Sequence, residues 1–238
     1  MNWWEFENFY EQKTNKNIER GDIVWTPVLY LDSTRQVLNM ERDSVDSDTH
    51  TGGKFCIEKL DFNKHFNHRA VKLPVYNLGI RYNEEMLLYK SKMRPCIVLH
   101  VENETIQKPT DNDNAVPGLN KQCVFLLPLY GFEKDSSGIL KYSPIMQKRI
   151  TCLQYGKLFF FPKDSDRFSQ ISKNSFGRFD MCFNVPMSYL CPTQRRVSDL
   201  YMNLLNLYIS SYFGMPITDE FFKESKDLLQ LAQGQYEE

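Results

Sequence analysis

At 238 residues the chain is long enough to bury a full core, as one large domain or as one domain with a sizeable insertion. Hydrophobic content of 42% and aromatic content of 14%, with 17 Phe and 13 Tyr against 11 Gly, exclude a disordered or low-complexity chain. A net charge of −1 excludes a molecule that draws nucleic acid by its overall field, so any anion site must be local.

Residues 3–18 carry Trp3, Phe6, Phe9 and Tyr10 at near-helical spacing. This predicts an N-terminal aromatic helix within residues 1–19, docked on the body of the protein or offered to a partner. The segment lacks a basic region followed by an apolar core and does not read as a signal peptide. Gly21 and Asp22 punctuate the chain, and Ile23 to Tyr30 follow as a β-rich run in which Pro27 marks a bulge or an edge. Residues 32–54 are polar, end in Thr51-Gly52-Gly53 and read as a loop. Residues 55–90 mix aromatic and charged side chains, with Leu73 to Tyr76 as a short strand. His65 and His68 could stand one helical turn apart. Without an acidic or thiol partner at ligand spacing they read as surface histidines before they read as a metal pair.

Strands are expected at 94–101 and 123–129, separated by a polar loop over 102–121. Residues 151–161 and 176–185 are further apolar runs suited to a barrel wall. From Ser198 the period changes. Leu200, Tyr201, Leu204, Leu205, Tyr208 and Tyr212 share one face and predict a helix over 198–213, capped by Ser198 and stopped by Gly214 and Pro216. Thr218 is expected to cap a second helix with Phe221, Leu228, Leu229 and Ala232 as its stripe, and the tail from Gly234 is expected to fray. The six cysteines show no Cys-x-x-Cys spacing, which argues against zinc and against a disulfide framework. No apolar run approaches bilayer length, and a reducing cytoplasmic compartment is the simplest expectation. No paired acidic motif stands on a strand-like segment, which argues against a metal-dependent nuclease.

The stretch Lys92 to His100 carries the most chemistry. Arg94 never loses its charge and presents a planar fork of donors, while Pro95 forces it into extended geometry. A cation fixed this way at the mouth of a sheet is well placed to hold a phosphate.

Three motifs follow one another: Gly21-Asp22-Ile23-Val24-Trp25, Arg94-Pro95-Cys96-Ile97-Val98-Leu99 and Cys123-Val124-Phe125-Leu126-Leu127-Pro128. In that order, and with Arg178 to Ser188 before a closing helix, the chain resembles MazF/PemK-type toxins of toxin–antitoxin pairs over residues 20–31, 92–130 and 150–213. The resemblance implies an α+β, mainly β fold: a small SH3-like barrel over 20–213 with an insertion at 32–90 and a closing helix at 198–213. A further C-terminal helix and tail would occupy 214–238. It implies an endoribonuclease that cuts single-stranded RNA by attack of the ribose 2′-hydroxyl, with no metal and no cofactor. Such an enzyme positions the backbone, moves protons and neutralises charge.

In this resemblance Arg94 falls on the family's arginine, where its fork would bind nonbridging oxygens; an ordinary surface salt bridge is its plain alternative. Tyr130 falls where the family carries Thr or Ser, two positions after Pro128. Its phenol, with an ordinary pKa of about 10, is a poor base at neutral pH, and stacking of a base or packing at the barrel rim are its other readings. His65 or His68, brought in by the insertion, would be the better proton carrier. Trp25, Arg69 and Arg178 are the candidate RNA contacts, and Arg178 with Asp180 forms either a rim site or an ion pair. A homodimer through the barrel and an antitoxin or other protein partner are implied. The alternative is a catalytically degenerate barrel that binds a protein or a nucleic acid in a toxin–antitoxin or defence context.

Overall fold

A computed structural model describes residues 2–31, 34–42, 53–66, 84–102, 122–132, 138, 140–164, 171–216 and 219–237. Its elements in chain order are β1 (Tyr10–Gln12), β2 (Asp22–Leu29), β3 (Gln36–Arg42), β4 (Gly53–Lys59), β5 (Leu87–Leu88), β6 (Ser91–Val101), β7 (Cys123–Gly131) and α1 (Pro144–Thr151). Then come β8 (Leu158–Phe161), β9 (Ser175–Arg178), β10 (Phe183–Pro186), β11 (Cys191–Val197), α2 (Asp199–Phe213) and α3 (Asp219–Glu237). Contacts divide the chain into two compact units, Met1–Thr26 with Met93–Glu238, and Pro27–Lys92.

The class is α+β, mainly β. The larger sheet runs in the order β1-β11-β2-β6-β7-β9-β8, with β10 also paired to β7, and the smaller one in the order β4-β3-β5. The ladder is an open path with β1 and β8 at its ends, so among the described residues hydrogen bonding does not close a barrel. Side chains bridge the two ends instead. The Tyr10 hydroxyl donates to the Pro162 carbonyl, just past β8, at 2.7 Å. Arg195 donates to Asp164 at 2.9 Å and to the Tyr10 carbonyl at 3.2 Å.

At the centre of the sheet β6 pairs antiparallel with β7, Cys96 opposite Pro128. On the other side of β7 the ladder passes from β10, with Phe183 opposite Leu126, to β9, with Leu129 opposite Gly177. Pro128 has no N–H to give, and it falls in the gap between these two ladders. A 3-10 turn, Phe179–Met181, fills the chain opposite. Gly177 is required where it stands: a Cβ there would lie 2.6 Å from Leu127 Cδ2 and 2.8 Å from its Cγ. The core of this unit is aromatic. Trp3 is fully buried and sits edge-on to Phe9, Phe159 and Phe160, while Phe9 stacks on Tyr201 at 4.3 Å.

Several expectations are corrected. The N-terminal segment is not a helix over 3–18 but a 3-10 turn, Trp3–Glu5, followed by β1. Trp3, Phe9 and Tyr10 still dock in the core, because pairing of β1 with β11 carries them there. The polar stretch 32–54 holds β3 and the start of β4. Its polarity misled because a three-stranded sheet of which one face buries Val37 needs few apolar residues. The strand expected at 151–161 is only β8; Thr151 ends the helix α1, and residues 152–157 are turns. Ser143 caps α1, accepting the Met146 N–H at 3.2 Å, with Pro144 opening the helix. The run 176–185 is two strands around the 3-10 turn, and β11 was not foreseen.

The helix beginning after Ser198 forms as α2 and ends at Gly214 (φ 68), but the Ser198 hydroxyl makes no capping bond. Leu228 and Ala232 of α3 are buried as expected, while the tail continues as helix to Glu237 instead of fraying. The expected strand at 73–76, most of the loop at 102–121 and the Thr218 cap lie outside the described residues. Among the described residues no helix is long and apolar enough to cross a membrane.

Candidate functional site

Three strands of the larger sheet bring together Arg94, Tyr130 and Arg178. Arg94 lies on β6, Tyr130 near the end of β7 and Arg178 at the end of β9. Tyr130 pairs across the ladder with Phe176, so Arg178, two residues on, projects from the same face. The Arg94 guanidinium stands over the Tyr130 ring at 4.5 Å from its centroid, and that of Arg178 at 5.8 Å. Phe176, nearly fully buried, backs the same ring at 6.0 Å and 29°. Two fixed cations thus share one aromatic support.

The 3-10 turn created opposite Pro128 returns Asp180 to Arg178. Arg178 donates two bonds to the Asp180 carboxylate, at 3.1 Å from Nε and 2.8 Å from an η nitrogen. The hydrogen bonds from Arg178 hold the Asp180 carboxyl below its ordinary range, so it stays a carboxylate. Burial raises the Tyr130 phenol above its ordinary value, while Arg94 and Arg178 pull it back in part. The hydroxyl is therefore protonated across the neutral range, able to donate and unsuited to accept a proton. Two thiols complete the surroundings: burial pushes Cys96 up, and burial with the neighbouring Asp180 charge pushes Cys182 up to about 12. Both stay protonated at neutral pH and are not nucleophiles.

Four sequence candidates remain: Trp25, His65, His68 and Arg69. Trp25 lies on β2, the strand next to β6 in the sheet, opposite Cys191 of β11; its indole N–H is buried without a hydrogen-bond partner among the described residues. His65 belongs to the other unit and is 2% exposed. The Asp61 N–H donates to His65 Nδ1 at 3.0 Å, and Nε2 lies 3.7 Å from Glu58. These contacts make His65 part of the local packing of that unit. His68 and Arg69 lie outside the described residues. Among the described residues no group of three His, Cys, Asp or Glu side chains is arranged to hold a metal.

Sequence reasoning picked out Arg94, Tyr130 and Arg178 separately but not their meeting on one ring. It also left open whether Arg178 and Asp180 make an ion pair, which they do. The contribution of Phe176 was missed. Its signal, two residues before Arg178 on an apolar run, was legible only once β9 could be paired with β7.

Compared with protein-family models, curated proteins and solved structures, the chain has no match.

Proposed function

We propose that the chain is a MazF/PemK-like endoribonuclease of SH3-like barrel descent, cleaving single-stranded RNA at the Arg94–Tyr130–Arg178 group without a metal. The observation that carries this reading is the placement of the Arg94 guanidinium 4.5 Å over Tyr130, the two positions on which the family's chemistry rests. Arg94 and Arg178 take the nonbridging oxygens of the scissile phosphate and stabilise the charge that builds as the 2′-hydroxyl oxygen bonds to phosphorus. The bond to the 5′ oxygen breaks, leaving a 2′,3′-cyclic phosphate and a 5′-hydroxyl. Tyr130, kept neutral by burial, donates its proton to the leaving oxygen, and the 2′-hydroxyl proton passes to solvent.

The test is a long unstructured RNA incubated with the protein in EDTA. Cleavage to 2′,3′-cyclic ends, lost in Arg94→Ala with the fold intact, is the expected outcome. Intact RNA at high concentrations of folded protein refutes the nuclease reading.

A second reading, RNA binding without cleavage, is favoured by one feature. Arg94 covers a face of the Tyr130 ring, so the phenol serves as a support for the cation in place of the family's small hydroxyl. In that case RNA binds, weakens with salt at a slope of about −0.7 per phosphate contacted, and survives intact.

A further inference from the structure

The two ends of the larger sheet, β1 and β8, meet through side chains without pairing, and a cleft of about 1010 Å³ opens along this seam. None of the residues lining it belongs to the Arg94–Tyr130–Arg178 group. Its volume is at the upper end of ligand pockets, which run to about 1,000 Å³, enough for several residues of an extended chain. Three properties of the cleft converge on one kind of occupant.

The first is its apolar wall. Trp4 and Phe6 line it; Phe6 is 45% exposed, and Trp4 is half-buried, edge-on to Phe160 at 4.9 Å. The second is charge. The lining holds four carboxylates, Glu5, Glu7, Glu11 and Asp164, against two cations, Lys163 and Arg195. Asp164 and Arg195 pair with each other deep in the seam, their side chains 4% and 14% exposed. Glu5 is held by the neutral Asn2 and keeps its charge, Glu7 is exposed, and Glu11 lies 3.4 Å from Arg196. Outside these pairs Glu5 and Glu7 stand against Lys163 alone among the lining cations, a small local excess of negative charge beside aromatic faces, which suits cations carried on apolar stems. The third is a backbone edge. Tyr10 and Glu11 of β1 border the cleft, and among the described residues β1 pairs only with β11; the Tyr10 carbonyl already accepts from Arg195, so a further segment laid there would pair through the Tyr10 N–H and not through a fully open edge.

We propose that this cleft binds an extended, lysine- or arginine-bearing peptide segment of a protein partner, laid beside β1 with its cationic heads at Glu5 and Glu7 and its stems against Trp4 and Phe6. The run from Trp4 to Glu11 serves both purposes: all of it borders the cleft, while Phe9 and Tyr10 also bury most of their surface in the core. The site is independent of the nuclease reading and stands whether or not RNA is cut.

The experiment titrates the full chain, at low salt, into a fluorescently labelled, capped heptapeptide alternating lysine and valine, read by anisotropy. A heptapeptide alternating glutamate and valine is the control. The lysine peptide is expected to bind and the glutamate peptide not to. The double variant Glu5→Gln/Glu7→Gln should weaken binding about tenfold, since exposed ion pairs are individually small. Glutamine keeps the capping arrangement at the first of these positions, so the fold should be unaffected, and a thermal melt checks this. Phe6→Ala, a change at an exposed side chain, should also weaken binding, while Arg94→Ala should leave it unchanged. Equal affinity for both peptides, or wild-type affinity in the folded double variant, overturns the proposal. So does displacement of the lysine peptide by single-stranded RNA in the Arg94→Ala background, which would assign the cleft to RNA.

Discussion

Gly177→Ala tests how the sheet delivers Arg178 to Tyr130. Gly177 sits on β9 between Phe176 and Arg178, opposite Leu129 of β7, and is buried. The added methyl would lie 2.6 Å from Leu127 Cδ2 and 2.8 Å from Cγ. The second distance decides the outcome, because Cγ is the branch point and rotating the terminal methyls cannot clear it. Leu127 is itself fully buried, so it has no solvent to retreat into. Overpacking of this kind costs about 1–3 kcal/mol, and the lower chain entropy of the unfolded alanine form returns about 0.4–1 kcal/mol. A net loss of about 1–2 kcal/mol follows, a fall in Tm of about 2–8 °C for a domain of this size.

The same substitution made in a Leu127→Ala background is the decisive arm. Leu127→Ala alone should cost about 2–5 kcal/mol by opening a cavity, but into that cavity the new methyl fits, so the second change should be neutral or stabilising there. Urea titrations of the four proteins give the cycle. Additive losses, or an unchanged single variant, would show that β9 and β7 are not held by this contact.

Three further outcomes follow from the same geometry. The Tyr130 phenol, raised by burial, should titrate above its ordinary value of about 10; its folded pKa exceeds its unfolded one, so its contribution to stability is complete below about pH 10 and is lost as pH rises through the folded value. Difference absorbance against Tyr130→Phe measures this, and Arg94→Ala should raise the midpoint further because the cation lowers it; a fall in that variant contradicts the arrangement. Trp3→Ala removes a fully buried indole that donates to the Thr151 carbonyl at 2.7 Å and should cost about 3–5 kcal/mol in urea unfolding, a loss under about 1 kcal/mol refuting its place in the core. Tyr130→Phe keeps the ring beneath Arg94 and should retain RNA binding while losing cleavage, whereas Tyr130→Thr keeps a hydroxyl but removes the ring and should lose binding; cleavage restored by threonine would refute the role given to the ring.

Strong local signals were legible in the sequence. The period of Leu200 to Tyr212 and the stop at Gly214 gave α2, and the apolar runs around Arg94 and Cys123 gave β6 and β7. What failed depended on partners far along the chain. The aromatics of residues 3–10 fit a helical period, yet pairing with β11, nearly two hundred residues on, makes Tyr10–Gln12 a strand. The polar run around β3 was opaque for the same reason: its neighbours β4 and β5, not its own composition, make it a strand. Only α1 was missed despite a local signal, Ser143 followed by Pro144. The candidate site shared this pattern, its residues visible singly while their meeting rested on cross-strand register.

That register traces back to one imino acid. Pro128 cannot donate to a neighbouring strand, and the segment that runs along this edge of β7 cannot remain a single strand past it. It divides into β9 and β10, and the slack is taken up as the turn Phe179–Met181. A continuous strand would carry residues 178 and 180 outward at strand spacing, about 6–7 Å apart. The turn instead lets the Asp180 carboxylate close on Arg178 at 2.8 Å. Asp180 thereby fixes a guanidinium whose stem is anchored by Gly177 and Phe176, next to a ring that already supports Arg94. The same proline that marks the resemblance in the sequence thus has a structural consequence. It breaks the ladder beside Arg178, whose cation is thereby held at an angle that an unbroken strand does not offer.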